Sequence, residues 1–215
     1  LSANISGFVL PNLKRDDFMK KEEMIQKAED FMLGSFQSEN IPVVIANGMI
    51  RHLLQTRKYI LALTEGSKRD TTALEIAALL HGIERAYKRG RKFKELRNEK
   101  HETRSAMITQ NFMKKNKFPR KVIKKTVGLI EKHETAPTAE SKILRDADNI
   151  SFLENTLPIW FETRLWMGED RKEIIEDCKK RVDEKFKQIK SKKGKELAKR
   201  FHKKWCHWLS QKELV

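Results

Sequence analysis

Six histidines stand out in this chain, and four of them sit inside or at the ends of helix-patterned segments: His52 in IRHLLQTRKYILAL, His81 in AALLHGIERA, His101 in KHETRSAMI and His133 in LIEKHET. Asp148 follows in LRDADNISFLE. Imidazoles and carboxylates are the side chains that ligate borderline divalent ions and exchange protons near neutral pH, so their order along the chain matters. Taken one at a time, each has a plainer account. His81 ends a strongly apolar run and must point inward, where a backbone carbonyl would satisfy it as well as an ion. His101 and His133 lie among charges at helix ends, and His202 and His207 fall in a basic terminal segment.

The elements that must position these residues are helices. Apolar residues recur with helical period over residues 17–36, 43–64, 70–88, 99–116, 119–133, 142–154, 158–167, 170–190 and 195–210, and no segment alternates as a strand would. Met24, Ile25, Ala28, Phe31 and Met32 mark one face of the first. Asp70 is placed to cap the third, Gly90 follows its end, and Pro119 suits the first turn of the fifth. Charged residues at 35%, hydrophobic residues at 39% and only five Pro also fit an all-α, folded chain. At 215 residues the length suits one domain. We expect its core over about residues 20–155, with C-terminal helices 156–215 packing on it, helping to shape a cleft, and charged helices after Gly168 that could form a lid or flanking subdomain.

Composition narrows the function classes. Two cysteines, Cys178 and Cys206, lie far apart without CxxC spacing, which argues against a disulfide framework or a zinc finger and fits a reducing cytoplasm. No apolar stretch reaches the length of a membrane span, and the first residues lack a secretory pattern. The net charge of +16 attracts anions, with Lys and Arg concentrated at residues 88–94, 114–125 and 190–204. Nucleotides and nucleic acid are both admitted as partners. These clusters read as solvated helix faces, because no aromatic platform is interleaved in them.

Jointly, the ordered positions His52, His81, His101, His133 and Asp148 resemble the HD superfamily of metal-dependent phosphohydrolases. The resemblance runs from about residue 52 to residue 148 and more loosely into the tail GKELAKRFHKKW. It implies an HD-like helical bundle and one or two divalent transition ions (Mn, Fe, Co, Ni or Zn). His52, His81 and Asp148 would hold one ion, and His101 with His133 would contribute to a second. It implies hydrolysis of a nucleotide or another phosphate ester, the ion generating hydroxide and withdrawing charge from phosphorus-bound oxygen. Arg51, Arg85, Lys88 and Arg104, close in sequence to the implied ligands, are candidate phosphate contacts. Asp146 is a candidate to orient a ligand histidine.

One position departs from the family pattern: beside the second histidine, where the family has a ligating Asp, this chain has Gly82. Three explanations stand open. Glu84 could take over the catalytic carboxylate role if the helix end unwinds at Gly82; the chain could be a degenerate module that binds nucleotide or RNA without catalysis; or the Asp could have been changed by design. A protein that binds nucleic acid through its basic surface alone is a further alternative, and it would show steep salt dependence without any metal requirement.

Overall fold

The computed structural model describes residues 19–37, 41–87 and 101–212. Among these residues there is no strand, and the chain runs through α1 (Lys21–Phe36), α2 (Val43–Thr64), α3 (Thr72–Leu80), α4 (His101–Lys115), α5 (Arg120–Lys132), α6 (Ala139–Ser151), α7 (Leu157–Trp166), α8 (Arg171–Gln188) and α9 (Lys192–Lys212). The all-α expectation holds. Gly90, the basic cluster 88–94 and Lys88 lie outside the described residues.

Helix α3 is the hub. Every residue from Thr72 to Leu80 is buried, which suits a segment that is apolar all round rather than on one stripe. Helices α1, α2, α5 and α6 pack around it. The sequence pattern predicts one helix over 70–88, yet the α-helix stops at Leu80, with a turn at His81 and Gly82 and a 3₁₀ segment over Ile83–Tyr87. Apolar periodicity did not register the break because Ile83 and Ala86 remain buried on the far side of the turn. Asp70 acts as expected at the start: its Oδ1 accepts from the Thr72 backbone N–H at 3.0 Å and from the Thr72 hydroxyl at 2.6 Å.

Helix α6 continues into α7 through a π-helical stretch, Phe152–Thr156. Such wide turns insert an extra residue and often occur where side chains must be re-aimed. Gly48 on α2 lets α7 come close, since a Cβ there would lie 2.8 Å from Ile159 Cδ1. The C-terminal helices pack on α6 and on each other. Their turn is pinned by Asp146, whose two carboxylate oxygens accept from the backbone N–H of Lys190 (3.0 Å) and Ser191 (2.8 Å). Asp146 therefore ties the turn between α8 and α9 to α6 and does not orient a histidine, a correction to the sequence reading. Gly194 completes that joint: an added Cβ would sit 2.6 Å from Ser191 Oγ and 3.3 Å from Asp146 Oδ2.

Candidate metal centre

Four histidine rings form a chain across one cleft. His52 and His81 have centroids 5.4 Å apart, His81 and His133 5.3 Å, and His101 and His133 5.6 Å. Asp148 reaches into the first pair, its Oδ1 lying 3.0 Å from His52 Nε2 and 3.3 Å from His81 Nε2. Ligand atoms of His52, His81 and Asp148 converge as one trio, and those of His101, His133 and Glu134 as a second. In the second trio Glu134 Oε1 is 3.9 Å from His101 Nε2 and 3.7 Å from His133 Nε2.

The way each ring is held explains its direction. His81 caps the C-terminus of α3, where the last carbonyls lack helical partners. Its Nδ1 lies 2.9 Å from the Ala78 carbonyl, which can only accept, so that nitrogen carries the proton. His133 repeats the arrangement at the end of α5, with Nδ1 2.7 Å from the Ile130 carbonyl. In both, the ring satisfies an orphan carbonyl three residues back and turns a bare Nε2 into the cleft. His52, in the middle of α2, uses a different device. Ser151 Oγ donates to the His52 carbonyl at 2.9 Å, so at 3.0 Å from Nδ1 it must accept the ring proton. The plain account of His81, satisfied by a carbonyl, and the ligand account thus describe opposite nitrogens of the same ring.

The consequence is electrostatic. In their neutral forms His52 and His81 turn bare Nε2 atoms toward a carboxylate oxygen in a buried space, an arrangement that repels itself unless a cation or a proton stands between them. Burial, the largest influence, holds the His52 imidazole below its ordinary pKa despite Asp148 beside it. Burial also lowers His133, with the neighbouring His81 acting in the same direction. His101 is brought down to about 4, first by burial and then by His133 and Arg85. For Asp148 burial is again the largest influence and opposes ionisation. Lys185, with its Nζ 3.8 Å from Oδ2, leads the influences that outweigh it and hold the carboxyl well below the usual range. Neutral imidazoles with fixed tautomers beside an ionised carboxylate are the donor set a borderline divalent ion requires.

A pH dependence follows, with a definite sign. A histidine whose folded pKa is depressed leaves the unfolded chain binding more protons, so stability is lost as pH falls from the unfolded value to the folded one. For His101 the window runs from the ordinary 6.5 down to about 4. Metal-free protein in chelator should melt at progressively lower temperature as pH falls through that interval, and His101→Asn should flatten part of the slope. The Asp148 carboxyl loses its contribution only at still lower pH. A melting temperature constant across the window would show that these rings are not held neutral.

The cleft, about 270 Å³, is lined by all five predicted ligands together with Gly82, Arg85, Glu134, Arg181 and Lys185. Of the described cations expected to meet phosphate, Arg51, Arg85 and Arg104, only Arg85 is there. Arg51 is exposed: neighbouring residues of a helix point about 100° apart, so with His52 inward Arg51 faces water. Arg104 sits about one turn along α4 from His101, away from the cleft end, and does not line the cleft. Glu84 does not reach the cluster either. Its 3₁₀ segment packs on α1 and α4, its carboxylate is fully buried, and the residue is absent from the cleft wall. The local opening at Gly82 re-aims the backbone without delivering Glu84.

Sequence reasoning missed Glu134, Ser151, Arg181 and Lys185. Glu134 adjoins His133, a visible signal; Arg181 and Lys185 are spaced four apart on α8, but only docking of α8 on α6 and α7 reveals which side of them meets the cleft. A second hollow, about 720 Å³, lies between α7 and α9 and is lined by Phe161, Trp205, Trp208 and mixed charges, with no histidine or cysteine among its lining residues.

Residues 49–153 match the family model of the HD domain. The matched stretch runs from α2 through α6 and so contains all five expected ligands. Among solved structures, the Lin1889 protein of Listeria innocua is similar over 91% of this chain and 96% of that chain, with a TM-score of 0.65 and 19% identity, a likeness of fold. No curated protein matches the sequence. Among the described residues, no helix is long and apolar enough to cross a membrane.

Proposed function

We propose that this protein is a metal-dependent phosphohydrolase of the HD type, acting on a nucleotide or another small phosphate ester. The observation that carries the reading is the convergence of the Nε2 atoms of His52 and His81 on Asp148 Oδ1 in a buried cleft. His52, His81 and Asp148 would hold one divalent ion (Mn, Fe, Co, Ni or Zn), and His101, His133 and Glu134 a second. When bound, such an ion supplies an activated water and withdraws charge from a phosphoryl oxygen.

The chain's own residues supply the rest. Arg85, Arg181 and Lys185 line the cleft and offer the positive charge that orients a phosphate, with Arg181 lying 5.3 Å over the Trp160 ring. Lys185 lies over Phe152 at 5.6 Å and beside Asp148. It is placed to hold a phosphate next to the ligand set and to balance the carboxylate when no substrate is present. A cleft of about 270 Å³ favours a compact ester over a polymer.

One observation favours a second reading. Residue 82 has no side chain to offer where the family pattern has an Asp, and a chain with a weakened ion site would bind a nucleotide or RNA without turning it over. Elemental analysis of protein purified without added metal, paired with hydrolysis of a phosphate-ester panel in Mn, Co and Ni, separates the readings. We expect at least one transition ion per chain, bound by the cleft ligands, and metal-dependent turnover. Protein without metal and without turnover in all three ions would overturn the enzyme.

A further inference from the structure

Away from the cleft, on the outer side of the α8–α9 pair, a third group of ligating atoms comes together. His202 Nε2 is 3.0 Å from Asp183 Oδ1 and 3.7 Å from Cys206 Sγ. Phe186 stacks on the His202 ring with centroids 4.2 Å apart and so sets its plane. His202 and Cys206 are four apart on α9 and share a face, while Asp183 comes from α8. Cysteine, histidine and aspartate together suggest two different chemistries, a nucleophilic triad or a metal site.

The geometry decides between them. A triad needs the acid and the nucleophile on opposite ring nitrogens, so that one orients the base and the other is activated by it. Here both Asp183 and Cys206 lie nearest the same nitrogen, since Cys206 Sγ is 3.9 Å from Nδ1 and 3.7 Å from Nε2. An ion bound tetrahedrally at Zn–N and Zn–O lengths of about 2.0–2.2 Å and a Zn–S length of about 2.3 Å separates its donor atoms by about 3.3–3.6 Å. The observed 3.0 and 3.7 Å differ from that by only a few tenths of an ångström, within reach of small side-chain rotations.

We propose that Asp183, His202 and Cys206 form a metal site on the outer face of α8 and α9, taking a borderline-soft divalent ion such as Zn(II). Cys206 gives its proton to solvent as the ion binds, and water fills the fourth position of this exposed site. The ion would cross-link the two helices. Asp183 stands two residues from both Arg181 and Lys185 and so on the opposite face of α8, so that fixing it holds the helix that presents those cations to the cleft.

Titration with Co(II) tests the site independently of the cleft, because the cleft ligands contain no sulfur and the chain has only two cysteines. The intact protein should develop a near-ultraviolet thiolate-to-cobalt charge-transfer band that Zn(II) bleaches. Cys206→Ser and His202→Gln should lose the band while keeping the helical circular dichroism, both positions being at the surface. Cys178→Ser, at a buried thiol, and His81→Ala, in the cleft, should retain it. Absence of the band in the intact protein, or a band that survives Cys206→Ser, would overturn the proposal, whatever the cleft is found to bind.

Discussion

Asp148→Asn should cost the cleft its metal while leaving the fold in place. The carboxylate is the only anionic ligand of the first trio, and its Oδ1 is shared between His52 and His81 at 3.0 and 3.3 Å. Losing a partner one shell further out typically lowers metal affinity about 10- to 100-fold, so loss of the ligand itself should exceed about a hundredfold. Turnover should fall at least as far. Stability of the metal-free protein should change by less than about 1–2 kcal/mol, because an amide N–H can donate to a bare imidazole Nε2 where a carboxylate cannot. The change also leaves Lys185 without its neighbouring anion, which sets a small opposing cost. The measurement is a competitive metal titration beside a thermal melt in chelator. Retained metal affinity would remove Asp148 from the ligand set; a collapsed melt with no folded baseline would mean that its role is structural.

Gly82→Asp should strengthen the site. Gly82 lines the cleft beside His81, and it is not among the glycines held at positive φ, so a side chain is admissible on backbone grounds. A Cβ there would lie 3.0 Å from Met49 Cε and 3.6 Å from Leu53 Cδ2. The tight contact is to the far end of an unbranched, adaptable side chain, which can give by the few tenths of an ångström required. A carboxylate entering beside Asp148 and His81 adds negative charge to a neutral-imidazole site, and we expect a gain of about tenfold or more in metal affinity, about 1.4 kcal/mol. If the present chain is an impaired hydrolase, turnover rises with it. Shortening Met49 to Ala in the same background should enlarge the gain if the methyl group is the obstacle. Tighter metal binding without turnover would favour the non-catalytic module. Unchanged affinity in both variants would show that residue 82 does not address the ion.

The two predictions rest on features that became visible at different levels. Apolar periodicity and the order of His52, His81, His101, His133 and Asp148 were sufficient to indicate an all-α chain and to pick out the five side chains that meet in one cleft, because helical spacing and residue type are properties of local sequence. The tautomers were not legible. They depend on which carbonyls are left over where α3 and α5 end, and on Ser151 arriving against α2 from the end of α6. Nor was the separation of near neighbours: Arg51 turns to solvent and Glu84 into the α1 and α4 side, while Arg181 and Lys185, about 100 residues further on, line the cleft. Sequence by itself determined the helices and the chemical types available, since these are set within a few turns of chain. Only the tertiary structure decided which nitrogen, which cation and which carboxylate share a space, because packing brings distant segments together and sequence distance carries no record of direction.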